Sequence, residues 1–246
     1  MDNSLLVSLS QQLASYQSMD VIANNIANLS TPAFKRETPT FQEYVTQVAS
    51  DDGSGDTQSV SFVQDTGVAR DLTQGRFDTT GGPFDLAING KGYFAVQTPN
   101  GERYTRDGRF SLDTNGNIVT SDGYQVQGDG GAITISPDDG DIHIGPDGTV
   151  SGKTGQIGKL RVVSFANEPA LQKEGASLYS ATETPGTASA FTVSQGMIES
   201  SNVQPVIEIS RMVDVMRAYQ ATATLTQSQE DLMRQAIDKL GQVPSS

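Results

Sequence analysis

Between positions 209 and 240 the chain carries a pattern that few folds accommodate. Ile209, Met212, Met216, Tyr219, Ala223, Thr226, Glu230, Met233, Ile237 and Leu240 follow an unbroken alternation of three- and four-residue steps. That alternation gathers side chains into one stripe along an α-helix, with only Thr226 and Glu230 breaking its apolar run. Pro205 suits a first helical turn after a cap near Asn202, and Gly241 followed by Pro244 is a stop signal, so the spacing predicts a helix over 205–240. The other end repeats the idea, with Leu6, Leu9, Leu13, Tyr16, Met19, Ile22, Ile26 and Leu29 at the same steps. Asp2 or Asn3 caps this first helix, and Pro32 biases the preceding residue out of helical geometry, which places its end near 29–31.

A helix of this length does not hold itself together in water on eight apolar side chains; ordering its backbone costs more than an unpartnered stripe returns. The partner is either the other helix or neighbouring subunits. Ala14, Val21, Ala23 and Ala27 widen the first helix's apolar surface beyond one stripe, and Ala218, Ala221 and Ala223 permit close approach to the second from more than one side. Both features favour packing among several copies over a lone helical hairpin. Asn24, Asn25 and Asn28 cluster near the end of the first helix. They are either ordinary helix-end polar residues or interior amides that fix register in a helix assembly.

Between the two stripes the texture changes to tight-turn pairs: Asn89-Gly90, Asn100-Gly101, Asp107-Gly108, Asn115-Gly116, Asp122-Gly123, Asp129-Gly130 and Asp147-Gly148. They bracket short runs of β character, such as Gly92 to Gln97, Arg109 to Leu112, Asn117 to Thr120, Ala132 to Ile135 and Lys159 to Phe165. The fold class is therefore α+β. A helix over 1–30 and a helix with its tail over 205–246 pack as a coiled-coil-like assembly domain, and 82–168 forms a central all-β domain. Residues 31–81, with the run Asp51-Asp52-Gly53-Ser54-Gly55-Asp56, and 169–204, with Thr184-Pro185-Gly186-Thr187, read as extended or flexible arms.

Charge narrows the function. The formal net charge of −13 repels a nucleic-acid backbone and anionic lipid, and no basic stripe interleaved with aromatics offsets it. The acids concentrate in 51–150, with 16 against 6 bases, which leaves both ends near neutral and able to pack against copies of themselves. No run approaches 18 apolar residues, so direct membrane insertion is not expected, and the N-terminus lacks the basic and apolar regions of a cleavable Sec signal.

Chemistry finds no foothold. Zero cysteines remove thiolate catalysis and Cys-based metal sites. The single histidine, His143, has no nucleophile or orienting carboxylate at a recognisable spacing. Gly148-Thr149-Val150-Ser151-Gly152-Lys153-Thr154 has three residues between its glycines where a phosphate-cradling loop needs four. Neither Asp113-Thr114-Asn115-Gly116-Asn117 nor Asp138-Asp139-Gly140-Asp141 has calcium-loop spacing; turn chemistry explains both. No enzyme, metal or cofactor is expected. On these residues alone the readings are a structural subunit or a secreted β-domain binding module.

Three separated stretches carry a resemblance to the bacterial flagellar rod and hook protein family. Ala23-Asn24-Asn25-Ile26-Ala27-Asn28-Leu29-Ser30-Thr31 with Phe34-Lys35 resembles its N-terminal motif. Asp85 to Phe94, Tyr104-Thr105-Arg106-Asp107-Gly108 and Asp122-Gly123-Tyr124 resemble its β domain, while Ser200-Ser201-Asn202-Val203 and Arg217-Ala218-Tyr219 resemble its closing helix. The likeness covers about 1–45, 80–130 and 193–242, and the chain length and opening residues are most like a proximal rod subunit rather than a distal one or the larger hook protein. One departure is Pro32-Ala33-Phe34, where relatives place Gly before the aromatic residue; alanine there predicts no left-handed turn after the helix.

The resemblance implies a non-enzymatic subunit of the flagellar basal-body rod, part of the hollow drive shaft that carries torque from motor to hook. Its partners would be copies of itself, other rod proteins and the flagellar type III export apparatus that delivers it to the periplasmic rod. The expected assembly interface is Leu6, Leu9, Leu13, Tyr16, Ile22, Asn24, Asn25, Ile26 and Asn28 on the first helix. On the second it is Ile209, Met212, Met216, Tyr219, Ala223, Met233, Ile237 and Leu240.

Overall fold

The computed structural model describes residues 2–49, 57–175 and 177–241; the acidic run at 51–56, the stop residue Pro244 and the side chain of Leu240 lie outside what is described. The chain divides into two compact units, between which the polypeptide passes four times. Met1–Ile26, Glu37–Ala69 and Gln204–Ser246 form unit 1, and Ala27–Arg36 with Arg70–Val203 form unit 2.

Unit 1 holds both long helices, α1 (Asp2–Ala27) and α2 (Pro205–Gly241), within a few residues of where capping and proline signals place their ends. Gln12 of α1 donates to the Thr226 hydroxyl and Asn25 donates to Glu208, so the helices run antiparallel. The stretch read as the first arm is mostly strand. Strand β1 (Glu37–Ala49) and β2 (Thr57–Arg70) pair as a two-stranded ribbon, fastened near its base by Thr40 Oγ1 donating to the Gly67 carbonyl and Thr66 Oγ1 to the Thr40 carbonyl. Most of the ribbon's described side chains, Phe41, Tyr44, Val45 and Val63 among them, are exposed.

Unit 2 is the β domain, and it extends beyond 82–168 in both directions. Its main sheet has ten short antiparallel strands, running in order 172–174, 178–180, 101–105, 93–98, 125–128, 118–120 and 110–112, with three more off that path. Strand 191–195 pairs with 86–90 and strand 197–199 with 77–79, so much of the second arm is also sheet. The expected strand at 159–165 is broken: 155–159 closes a three-stranded sheet, while 162–164 joins the large one. Leu86, Ile88, Phe94, Val96, Ile118, Val126, Val150 and Leu160 fill the core with almost no exposure, and a second cluster packs Tyr93, Tyr104, Phe165 and Tyr179 edge to face. Such ring pairs add about 0.5–1.5 kcal/mol each beyond their buried area.

Most turn pairs act as hairpin chemistry requires, but Asp107-Gly108 does not. Gly108 accepts the Leu86 N–H at 2.9 Å, and a Cβ there would lie 1.7 Å from the Leu86 carbonyl oxygen, so the glycine permits a close backbone approach rather than a reversal.

The turn after α1 corrects another expectation. Ala33 does adopt the left-handed region, at φ 56°. The surroundings hold it there: its N–H donates to the Glu199 carbonyl at 2.8 Å, the Phe34 N–H donates to Thr31, and the Phe34 ring is fully buried. For an L-residue this conformation costs about 1–2 kcal/mol, which glycine's greater unfolded-state freedom offsets only in part. Ala33→Gly is therefore expected to raise unfolding stability by about 1 kcal/mol, read as a higher urea midpoint at unchanged slope.

Candidate assembly interface

The helix pair of unit 1 is built inside out. The less exposed positions of α2 include Met212, Val215, Tyr219, Thr222, Thr226, Gln229 and Met233, at steps of three and four. Three of these seven are polar. Opposite them α1 buries Ser18, Ile22 and Asn25. Hydroxyls on both helices satisfy themselves against the preceding turn of their own helix: Ser18 donates to the Ala14 carbonyl, Thr222 to Ala218 and Thr226 to Thr222. The buried Gln229 Oε1 finds no hydrogen-bond partner. A seam of this composition gives little hydrophobic stabilisation.

The large apolar side chains point elsewhere. Leu6, Leu9, Leu13 and Tyr16 on α1 are 47–62% exposed, and Val206, Ile209, Val213, Met216, Leu225, Leu232 and Ile237 on α2 are exposed as well. Of the residues expected in the assembly interface, the structure thus leaves Leu6, Leu9, Leu13, Tyr16, Ile209, Met216 and Ile237 uncovered, with Asn24 beside them in exposure. It turns Met212, Tyr219, Ala223 and Met233 partly inward and buries Ile22. Ile26 and Asn28 are half-buried, and Asn28 Oδ1 accepts from the Thr31 hydroxyl.

Asn25 resolves the two readings of the amide cluster in its own case. Fully buried, it accepts the Glu37 N–H at 2.9 Å while its Nδ2 donates to the Glu37 carbonyl at 2.7 Å and to Glu208 Oε2 at 3.2 Å. One amide thereby registers α1, the start of β1 and the first turn of α2. Glu208 sits where a carboxylate complements the helix N-terminus and also pairs with Arg211 at 3.0 Å.

In unit 2 a second polar cluster escaped the sequence reading. Glu199, with no side-chain exposure, receives Lys35 Nζ at 2.6 Å, Arg106 Nε at 3.0 Å and the Gly75 N–H at 2.9 Å. Lys35 also donates to the Thr73 carbonyl, and Arg106 to the carbonyls of Ile88 and Gly90. Burial pushes the Lys35 ammonium below the usual lysine range; Glu199 opposes that shift and Arg106 adds to it. Asn202 completes the knot, accepting the Arg36 N–H and donating to the carbonyls of Asp71 and Thr73. Phe34-Lys35, Tyr104-Thr105-Arg106 and Asn202 were visible as motif residues, but no spacing rule joins positions 164 apart.

The solitary histidine, His143, is exposed on a two-residue strand, and among the described residues no cluster of His, Asp or Glu is arranged to hold a metal ion. No helix among them is long and apolar enough to cross a membrane.

Comparison with known proteins follows the same outline. Residues 6–35 match the family described as flagella basal body rod protein, 87–152 the flagellar hook protein FlgE/F/G D1 domain, and 194–239 the flagellar basal body rod FlgEFG protein C-terminal region. The chain is 43% identical to the flagellar basal-body rod protein FlgF of Caulobacter vibrioides over 99% of its own length and all of the relative's. It is 35% identical to FlgF of Mesorhizobium japonicum, with 98% and 99% covered, and 34% identical to the basal-body rod protein FlgG of Bacillus subtilis, with 89% and 92% covered.

Proposed function

The chain belongs to the FlgE/F/G family of flagellar hook and basal-body rod proteins, and we propose that it serves as a structural subunit of the bacterial flagellar basal-body rod. The observation that carries this reading is the helix pair: a seam only partly apolar within the molecule, and exposed leucine, isoleucine and methionine side chains outside it. A surface of that kind is stable only when other helices cover it. The assembly residues are Leu6, Leu9, Leu13, Tyr16, Ile209, Met216 and Ile237, with Met212, Tyr219, Ala223 and Met233 supporting them from the partly covered side. Leu240 continues the stripe by sequence.

Unit 2 supplies a rigid β body, and the near-neutral helices mate with sister chains and other rod proteins without strong repulsion. Mechanical transmission from motor to hook follows from such a role, as does delivery by the flagellar export apparatus. The 43% identity to FlgF of Caulobacter vibrioides, against 36% to FlgG of the same organism, favours the proximal position. Deleting the gene tests the proposal: basal bodies are expected to lack a complete rod and cells to stop swimming, with both restored by the wild-type chain. Intact rods and normal motility in the deletion would overturn it.

A further inference from the structure

Arg106 is held firmly but not fully satisfied. A guanidinium has five N–H donors; here Nε goes to Glu199 at 3.0 Å, and Nη2 serves the carbonyls of Ile88 and Gly90 at 3.1 and 2.9 Å. Its Cζ also lies 5.7 Å from the centre of the Tyr93 ring, which steadies the group further. Nη1 has no hydrogen-bond partner among the described residues, although the side chain is only 6% exposed. Charge is out of balance at the same place, because Lys35 and Arg106 share the single carboxylate of Glu199. A cation so far removed from water, with donors to spare, is costly unless an anion meets it.

Arg106 lines a cavity of about 390 Å3 within unit 2, a size in the range of small-molecule sites. Leu72, Phe165 and Pro169 give the cavity apolar walls, and Lys91, exposed and without an ion pair among the described residues, lines it too. We propose that this cavity is a binding site for a small monocarboxylate with a short apolar stem, its oxygens meeting Arg106 Nη1 and Lys91 and its stem the apolar walls. A planar carboxylate suits the edge of a guanidinium better than any other common anion except phosphate. Glu168 decides between those two. It stands in the cavity wall, where it accepts the Tyr93 hydroxyl at 3.4 Å. Among the charged groups that line the cavity or share Glu199, three are cations, Lys35, Arg106 and Lys91, and two are carboxylates, Glu168 and Glu199. One negative charge closes that balance, and a dianion overshoots it beside Glu168.

The test is a titration of the purified full chain with 4-methylpentanoate, followed by the amide NMR shifts of Gly90, Lys91 and Ala166. Saturable binding is expected, with a dissociation constant below about 5 mM. 3-Methylbutylamine, which has a branched stem and no carboxylate, is expected not to compete, and sulfate to compete at least about tenfold more weakly. Two variants place the site. Ala166→Phe sets a ring into the cavity from an exposed lining position and should weaken binding at least about tenfold; Lys91→Glu should weaken it at least about threefold. Neither residue joins the Glu199 cluster, so both variants are expected to keep the wild-type urea midpoint. Weaker binding than this, or none, would mean that water alone serves the free edge of Arg106 and would overturn the proposal. So would equal competition by the amine or by sulfate, or binding that either variant leaves unchanged. The rod reading does not depend on the result.

Discussion

Glu199→Ala is expected to lower the stability of unit 2 by about 3–5 kcal/mol, the usual cost of breaking a buried ion pair from one side. The carboxylate accepts from Lys35, Arg106 and the Gly75 N–H, and all three lose their acceptor together. Two cations would then remain buried without a counter-charge, at 3% and 6% side-chain exposure. Glu199→Gln keeps an acceptor for Gly75 and a similar volume, so it falls between Ala and wild type. The chain has 7 Tyr and no Trp, which makes tyrosine fluorescence the convenient probe of urea unfolding. A change within about 0.5 kcal/mol, the range of ordinary surface substitutions, would show that the knot is not what holds these segments.

The second large effect lies in assembly rather than stability. Leu9→Asp and Met216→Asp are each expected to abolish rod incorporation and swimming while leaving the urea transition of the monomer unchanged within about 0.5 kcal/mol. Both side chains are about half exposed in the single chain, so a carboxylate there stays hydrated. Once another helix covers the position, the same charge is taken from water without a partner, a cost of several kcal/mol per contact. Swimming assays, with immunoblots of purified basal bodies, separate this outcome from misfolding. Normal incorporation of both variants would remove these stripes from the interface.

The helices were legible because a stripe exposed to a future partner obeys the same periodicity as one buried in a core. Periodicity alone did not distinguish which half of the stripe is covered: Met212 and Tyr219 turn inward, whereas Ile209 and Met216 turn outward. The ribbon strands at 37–49 and 57–70 carry no such signal, for a related reason. With both faces exposed, Thr38, Thr40, Tyr44 and Val45 show no alternation between apolar and polar, and the period-two signal requires one buried face. Strands of two or three residues, such as Phe77–Thr79 and Met197–Glu199, are too short to show any period. The left-handed Ala33 and the Glu199 knot are tertiary facts. Each depends on residue 199 meeting residues 33 to 35, and nothing local to either segment encodes the encounter.

Around Glu199 and Asn202, the segments at 33–36, 71–76 and 199–202 are tied crosswise a few residues inside the points where the polypeptide enters and leaves unit 2. A pull transmitted through any one of these segments is thus shared with the others through those bonds. Twisting force arriving along the backbone would be distributed before it reached the apolar interior of the sheets.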